Sequence, residues 1–437
     1  MNASYPLTTR RLDDVIACTG GAGIRVDEFL GQVATLAETL PRHRYVINLA
    51  TNRYTFLLGF CAAIVAGQCT LLPPNRQRET VRDIAGEYPD SYIFEDTDVA
   101  TAAAATAIPE IGAGQLVAIV FTSGSTGEST GHPKYWETVR GGALANQVSY
   151  GLGNARVNML ATVPPQHNWG LETSIQLPLF ADIAISSETP LFPQDIANAL
   201  EQLPRPRVIV SSPIHLESLL AAGIDGIDID YVLSATAPMS QQLAADLESG
   251  FGARVNEVFG CSEAGSLASR ATATETLWTI AAPFRFEILD EKTRVSAPHL
   301  PEPVILGDVI ELVGDSRFRW LGRDQDMINI AGKRGSLAHL NHRLTRIPGV
   351  VDGVFFLPSE DSRRLAALVV APGIEPSAIL DNLKEAIDPA FLPRPMYLVP
   401  MLPRQETGKL ARKMVLDLYE SLRATVDKNG EPADSSS

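Results

Sequence analysis

Six consecutive apolar residues, Leu116–Phe121, run directly into the Ser-, Thr- and Gly-rich segment Thr122–Gly127. An uninterrupted apolar run that ends in a loop is typical of a strand buried on both faces of a sheet. Such a sheet needs covering helices, and helical periodicity from Phe29 to Leu40, followed by strand-like Tyr45–Leu49, indicates this alternation. The sequence therefore predicts an α/β fold with buried sheets.

Charge is distributed unevenly along the 437 residues. The chain has 36 basic and 51 acidic residues, a net charge of −15, which argues against general nucleic-acid or anionic-membrane binding. From Arg323 onwards there are 15 basic and 15 acidic residues, so residues 1–322 carry the entire net negative charge. We expect a large N-terminal domain over residues 1–322, a small α+β C-terminal domain over 323–426 and a disordered tail over 427–437.

Short strand-like runs dominate the chain after residue 304. They are Val309–Val313, Phe318–Leu321, Met327–Ile330, Val354–Leu357, Leu365–Val370 and Met396–Val399. Pro376 is suited to open one helix, and a second helix is predicted from Leu410 to about Arg423.

Cysteine usage and hydropathy indicate a cytoplasmic protein. The chain has four cysteines that lie far apart: Cys18, Cys61, Cys69 and Cys261. Because they form no C-x-x-C pair, the sequence indicates neither a disulfide framework nor a zinc cluster. The uncharged stretch Thr55–Pro74 is interrupted at Gly59, Gly67 and Gln68, so we expect a buried helix and a strand instead of a membrane span. The first residues lack an apolar signal core, which predicts no export.

The segment Thr122–Gly127 is a candidate phosphate site. Hydroxyl and amide groups in a loop after a buried strand can surround phosphate oxygens, and glycine allows close approach of the backbone. The segment lacks the register of a Walker A loop, which argues against a P-loop kinase or ATPase. A polar turn is the alternative interpretation.

Phe259-Gly260-Cys261-Ser262-Glu263 is a second candidate, because an aromatic ring can stack on a base and a carboxylate suits Mg²⁺. A hydrolase nucleophile elbow is excluded, since Ala occupies position 264 where that motif needs Gly.

Three further residues, each preceded by a glycine, could contact sugar or phosphate. Asp308 could accept both ribose hydroxyls, Arg323 could hold sugar or phosphate, and Lys409 follows Gly408 at the start of a predicted helix. Taken singly, the pairs at Asp308 and Arg323 are more often turns, and Lys409 is equally well an ordinary solvated residue.

In their order and spacing, these motifs resemble the adenylate-forming superfamily of acyl-CoA synthetases, aryl-acid ligases and nonribosomal peptide synthetase adenylation domains, over nearly the whole chain. The resemblance implies an α/β N-terminal domain, a mobile α+β C-terminal domain, and ATP and Mg²⁺ as cofactors. It implies Glu263 as the metal ligand, Lys409 as the mobile catalytic lysine, Asp324 and Gln325 as the hinge, and Gly332 as part of the thiol-tunnel loop. The implied ATP-binding residues are Thr122, Ser123, Gly124, Ser125, Thr126, Gly127, Lys134, Ser234, Ala235, Thr236, Phe259, Gly260, Ser262, Asp308 and Arg323.

The segment Val163–Gly170 stands where this superfamily carries its acyl-pocket motif. The resemblance implies that the acid is bound by His167, Asn168, Trp169 and Gly170, with His167 as a catalytic gate beside the reacting carboxylate. The other six histidines show no metal-ligand context, and we expect them at the surface or in the core.

The chain departs from the superfamily pattern in three ways. Glu128–His132 lengthens the run before Pro133-Lys134, Gln325 replaces the usual hinge Asp or Lys, and the phosphate loop begins as early as residue 122. These features look most like the compact aryl-acid ligases of bacterial aryl-polyene and xanthomonadin-type pigment biosynthesis.

The resemblance implies ATP-dependent activation of an aromatic carboxylic acid, such as a hydroxybenzoate, to an acyl-adenylate. Transfer to a phosphopantetheine thiol of an acyl carrier protein would follow. The alternatives are an aryl or a short- or medium-chain acyl-CoA ligase that uses free CoA, and a non-catalytic nucleotide-binding paralogue.

Overall fold

The computed structural model describes residues 3–97, 101–123, 129–152, 156–224, 226–290, 292–323, 327–330, 333–359, 362–404 and 410–429. The chain divides into two compact units. Unit 1 comprises Met1–Glu287, Arg294–Ile305 and Leu312–Phe318, and unit 2 comprises Ile288–Thr293, Leu306–Glu311 and Arg319–Ser437. A large α/β part and a smaller α+β part are thus present, as the sequence predicts.

The strands are β1 (Ser4–Pro6), β2 (Val15–Thr19), β3 (Ala22–Arg25), β4 (Tyr45–Asn48), β5 (Cys69–Leu72), β6 (Ser91–Phe94), β7 (Glu110–Gly112), β8 (Leu116–Ser123), β9 (Ser129–Tyr135), β10 (Val157–Ala161), β11 (Ile183–Ser186), β12 (Arg207–Ser211), β13 (Tyr231–Ser234), β14 (Arg254–Cys261), β15 (Gly265–Arg270), β16 (Trp278–Ile280), β17 (Arg285–Leu289), β18 (Lys292–Ser296), β19 (Val304–Leu306), β20 (Asp308–Val313), β21 (Arg317–Arg323), β22 (Met327–Ile330), β23 (Lys333–Ser336), β24 (Asp352–Phe356), β25 (Ala366–Val370) and β26 (Met396–Leu398). The helices are α1 (Val26–Thr39), α2 (Arg53–Val65), α3 (Arg78–Glu87), α4 (Trp136–Ser149), α5 (Asn168–Leu171), α6 (Leu177–Phe180), α7 (Pro193–Glu201), α8 (Pro213–Ala221), α9 (Gln241–Phe251), α10 (Leu337–Thr345), α11 (Pro376–Ala386) and α12 (Arg412–Asn429).

Unit 1 contains two large sheets. One has the strand order β6-β4-β5-β8-β9, with β9 antiparallel to an otherwise parallel set. The other includes β3-β2-β11-β10-β12-β13-β14-β15-β16, which is parallel from β2 through β14. The apolar run Leu116–Phe121 forms most of β8, where Val117–Phe121 are buried, so the predicted buried strand is confirmed.

The uncharged stretch after residue 55 forms a core helix and a strand. Every residue of α2 from Arg53 to Ile64 is buried, and β5 follows it at Cys69–Leu72. Arg53 donates to the carbonyl oxygens of Ala161 and Val163 at 2.8 and 3.0 Å, and burial lowers its pKa to about 9. In the described part of the chain, no helix is both long enough and apolar enough to cross a bilayer.

Unit 2 contains the antiparallel pair β22 and β23 and the three-stranded sheet β24-β25-β26. Helix α11 begins at Pro376, as predicted. Helix α12 begins at Arg412 and continues to Asn429, three residues into the segment predicted as tail. One apolar cluster of unit 2 includes Leu368 and Tyr419, which explains why α12 is held against the sheet.

The Ala-rich run Thr101–Ala107 forms no helix. It is held against α1 by a hydrogen bond from the Ala105 amide to the Asp27 carbonyl oxygen at 2.8 Å.

Candidate active site

The β8–β9 hairpin places two polar side chains on one face. His132 pairs with Val120, and Thr122 lies two positions further along β8, so Thr122 and His132 are diagonal neighbours. The Thr122 hydroxyl and His132 Nε2 are 2.9 Å apart. The predicted phosphate-site threonine therefore has a histidine partner from the lengthened segment.

His132 also approaches the second predicted motif. Its Nδ1 lies 3.9 Å from Glu263 Oε1. Burial lowers the pKa of His132, although the Glu263 carboxylate opposes that shift. Sequence reasoning assigned His132 to the surface or the core and missed this position. Its place in the hairpin, after a strand that delivers Thr122, was the available signal.

Lys134 connects the hairpin to the turn between β14 and β15. Its side chain is buried, 5% exposed, and Nζ donates to the Ser262 carbonyl oxygen at 2.5 Å. Burial lowers its pKa, while the nearby Glu172 carboxylate raises it. Lys134, predicted to bind ATP, thus holds the backbone beside Glu263.

The turn that carries Glu263 is tightly built. A Cβ at Gly260 would lie 2.3 Å from the Gly265 carbonyl oxygen, so only glycine fits there. Burial raises the pKa of the Cys261 thiol to about 12. Glu263 itself is exposed, with half of its side-chain surface accessible.

Phe259 is half-buried in an aromatic cluster. Its ring centroid lies 5.6 Å from that of Trp278 and 5.3 Å from that of Phe318. The structure therefore gives Phe259 a packing role besides the predicted contact with adenine.

The residues Ser234, Ala235 and Thr236, predicted to bind ATP, lie at the carboxyl end of β13. In open α/β sheets, ligands bind beyond the carboxyl ends of parallel strands. Ser234 Oγ is buried and has no partner among the described residues, and Ala235 is buried as well. Thr236 has a φ of 77°, a strained conformation for a β-branched residue. An orphaned hydroxyl beside a strained backbone is consistent with a binding segment.

The acid motif forms an irregular helix. His167 is half-buried and precedes α5, and a π-helical turn, Glu172–Gln176, follows α5 and leads into α6. The hydroxyls of Thr173 and Ser174 donate to the carbonyl oxygens four residues earlier, at 2.7 and 2.6 Å. Such back-bonding bends helices, and π-helical turns are frequent at functional sites.

A side chain of this irregular helix contacts the start of β15. Asn168 Nδ2 donates to Glu172 Oε1 at 2.6 Å, and the Ser266 amide donates to Glu172 Oε2 at 3.0 Å. Trp169 is 9% exposed. Sequence reasoning missed Glu172, although a carboxylate in an otherwise uncharged segment four residues after Asn168 was a usable signal.

Asp308 lies in unit 2, at the first position of β20. Its Oδ1 accepts a hydrogen bond of 2.8 Å from Trp320 Nε1, which fixes the orientation of the carboxylate. The binding of ribose by Asp308 stays a prediction.

Several predicted site residues lie outside the described residues: Gly124, Ser125, Thr126, Gly127, Asp324, Gln325, Gly332 and Lys409. The side chains of Ser123 and Arg323, which end β8 and β21, are likewise not among those described. Their roles stay predictions from the resemblance.

The residues around Glu263 suit a magnesium ion that is held mainly by a nucleotide. Among the residues described, no three His, Cys, Asp or Glu side chains form a group that could hold a metal. Mg²⁺ commonly takes one or two carboxylates together with substrate phosphate oxygens, and the exposed Glu263 offers the carboxylate of that donor set.

The profile of the AMP-binding enzyme family matches residues 36–302, more than half of the chain. The chain belongs to the AMP-binding enzyme family. The predicted resemblance to the adenylate-forming superfamily is thereby confirmed.

This AMP-binding enzyme is similar to known proteins in sequence and in fold. It is 33% identical over 116 residues to isonitrile lipopeptide synthase from Streptomyces coeruleorubidus, an alignment that covers 26% of the chain and 8% of that protein. The alignments span less than a tenth of the first two curated relatives.

Two solved structures show the fold. ATP-bound MatB from Rhodopseudomonas palustris aligns with a TM-score of 0.77 at 19% identity, over 94% of this chain and 97% of that one. The anthranilate CoA ligase AuaEII, in complex with anthranoyl-AMP, aligns with a TM-score of 0.77 at 14% identity, over 96% and 99%.

Proposed function

We propose that this AMP-binding enzyme is an AMP-forming acid–thiol ligase that activates an aromatic carboxylic acid, such as a hydroxybenzoate. One observation carries the proposal: a continuous set of contacts joins the predicted phosphate site to the predicted acid site. Thr122 contacts His132, and Lys134 binds the turn that carries Glu263. Glu172 binds Asn168 and also Ser266 in β15, the strand that follows this turn. The phosphates of ATP and the acid would therefore bind within one connected region of unit 1.

In the first step, a carboxylate oxygen of the acid attacks the α-phosphorus of ATP. The new P–O bond gives the acyl-adenylate, and the bond from the α-phosphorus to the bridging oxygen breaks, so pyrophosphate leaves. Two anions must approach each other, which requires positioned donors and cations. Thr122 would donate to a phosphate oxygen, and Lys409 would supply positive charge near the reacting carboxylate. Mg²⁺, held by Glu263 and phosphate oxygens, would supply further charge neutralisation.

In the second step, a phosphopantetheine sulfur attacks the acyl carbonyl carbon and AMP leaves, which gives a thioester. Rotation of the C-terminal part about Asp324 and Gln325 would replace Lys409 by the Gly332 loop. We favour an acyl carrier protein as the acceptor, because the sequence looks most like the aryl-acid ligases of pigment pathways. Thioester formation on holo carrier protein and on free CoA, with the same acid, distinguishes the acceptors.

An aromatic acid with a ring hydroxyl suits the side chains of the acid segment. Trp169, which is 9% exposed, would offer a planar apolar wall to the ring of the acid. Asn168 Oδ1 is buried and has no hydrogen-bond partner in the described part of the chain. A hydroxyl of the acid would donate to this oxygen, and a buried acceptor favours a ligand that can pair with it.

The test is a panel of acids assayed by acid-dependent pyrophosphate release. We expect hydroxybenzoates to exceed benzoate, octanoate and acetate. A preference of about tenfold or more for aliphatic acids, the size of effect that pocket contacts typically produce, would reject the aromatic assignment and keep the ligase assignment. Formation of ADP in place of AMP and pyrophosphate would reject both. Binding of ATP with no product from any acid would favour the non-catalytic paralogue.

A further inference from the structure

Glu172 is a buried carboxylate with three donors from two separate parts of unit 1. Its Oε1 accepts from Asn168 Nδ2 at 2.6 Å, and its Oε2 accepts from the Ser266 amide at 3.0 Å and the Ser266 hydroxyl at 2.7 Å. Tyr150, which is fully buried, donates to the same Ser266 hydroxyl at 3.0 Å. The carboxylate therefore joins the acid segment to β15, 94 residues later in the chain.

The groups packed around Glu172 restrict the position of its carboxylate. A Cβ at Gly265 would lie 2.7 Å from Glu172 Oε1, so the carboxylate sits directly against the backbone of the turn. A cavity of about 20 Å³, lined among others by Lys134, Asn168 and Glu172, has room for about one water molecule. The carboxylate of Glu172 stabilises the charged form of Lys134, the buried lysine that binds the Ser262 carbonyl.

A buried charge is costly to desolvate and is weak evidence for a purely stabilising role. In this protein, the hydrogen bond to Glu172 determines which way the Asn168 carboxamide faces. Asn168 Nδ2 already donates a hydrogen bond to Glu172. The carboxamide oxygen of Asn168 is therefore the atom that can accept a hydrogen bond from a ligand.

We infer that Glu172 is a positioning residue of the acid site: by holding Asn168 Nδ2, it presents the Asn168 oxygen to a hydroxyl group of the bound acid. It thereby sets the preference for a hydroxylated acid over the same acid without the hydroxyl. This inference rests on the proposed function. Glu172 does not touch the reacting atoms in this arrangement and acts through Asn168.

The first experiment compares Glu172→Gln with a matched control, Glu257→Gln. Glu257 is also a buried carboxylate, 3% exposed, and it accepts from Arg270, Thr272 and the Met239 amide. Each substitution removes one negative charge from a buried site, but Glu257 has no hydrogen bond to Asn168 or Ser266 among those of the described residues. A difference between the variants therefore reports the connection to Asn168.

The readout is the ratio of kcat/KM for a hydroxylated acid to that for its counterpart without the hydroxyl, at saturating ATP. We expect Glu172→Gln to lower this ratio about tenfold, the change expected for loss of one oriented hydrogen bond, and to raise the KM for the acid more than the KM for ATP. Glu257→Gln should leave the ratio unchanged. Equal loss of activity with both acids in Glu172→Gln would overturn the inference, because a merely structural role predicts that result.

A double variant addresses poor folding of Glu172→Gln. Lys134→Met combined with Glu172→Leu removes both buried charges, so neither is left unpaired. The acid-selectivity ratio should fall as in the single variant. Retention of the wild-type ratio in the double variant would also overturn the inference.

A spectroscopic measurement separates this inference from the proposed function. In protein labelled with ¹⁵N-asparagine, the side-chain amide of Asn168 is identified as the signal lost in Asn168→Ala. We expect Glu172→Gln to shift this signal and to speed its exchange with solvent, whichever acid the enzyme uses. An unchanged signal contradicts the positioning role, whereas failure of every acid in the panel contradicts only the proposed function.

Discussion

Environment decides what the reactive side chains of the β14–β15 turn can do. Cys261 stands next to Ser262 and Glu263, but burial raises its pKa to about 12, so it is a thiol at neutral pH and a poor nucleophile. Lys134 is buried and bound to a carbonyl oxygen, whereas Glu263 is exposed. The exposed carboxylate is therefore the group of this turn that is available to a ligand.

Asp308→Ala should weaken ATP binding about ten- to hundredfold, because a hydrogen bond to a charged group contributes roughly 1.5–3 kcal/mol. The predicted contact is with ribose hydroxyls, so thermal unfolding should change little. Titration calorimetry with ATP measures the affinity.

The control is Trp320→Phe, which removes the donor to Asp308 Oδ1 and keeps the carboxylate. It should weaken ATP binding less than Asp308→Ala. Unchanged ATP affinity in Asp308→Ala would show that Asp308 is only a structural residue of β20.

At the scale of elements, helix α5 starts in contact with the loop before it. A Cβ at Gly170 would lie 2.1 Å from the Pro164 carbonyl oxygen and 2.9 Å from its carbon. Backbone lies against backbone here, so the position of His167 and Asn168 depends on the absence of a side chain at Gly170.

Gly170→Ala should therefore destabilise the protein by about 1–3 kcal/mol, as overpacking does, and raise the KM for the acid. Thermal unfolding and acid-dependent pyrophosphate release measure the two effects. Gly86→Ala in α3 is the control, because a Cβ there meets no atom within 4 Å. It should stabilise the protein by about 0.5–1 kcal/mol. Wild-type stability of Gly170→Ala would disprove the close packing of α5.

At the scale of the whole molecule, the two proposed half-reactions use different parts of the C-terminal domain at the reacting carboxylate: Lys409 in the first and the Gly332 loop in the second. Lys409 is predicted to act in adenylation only. Lys409→Ala should cut adenylation by about 10²–10³-fold or more, as loss of an oxyanion-stabilising group does. Thioester formation from acyl-adenylate supplied ready-made should change much less.

Lys413→Ala is the matched control, since Lys413 is an exposed lysine of α12 four residues further on. It should leave both half-reactions at the wild-type rate. Equal loss of adenylation and transfer in Lys409→Ala would remove Lys409 from its predicted role.

The local sequence pattern predicted much of the fold and part of the site. The apolar run at Leu116–Phe121 predicted β8, and Pro376 predicted the start of α11, because apolar periodicity and backbone restrictions act over a few residues. Helix α12 ends at Asn429 instead of near Arg423, because local residue preference does not fix where a helix ends.

The sequence by itself determined the α/β architecture and the family, because both depend on local patterns and on motif order. Only the tertiary structure decided that His132 meets Thr122 and Glu263, and that Glu172 binds Ser266. Periodicity reports which face of a strand or helix is buried. It does not report which neighbour covers that face, because the pairing of β8 with β9 and the approach of the π-helical turn to β15 are set by packing across distant parts of the chain.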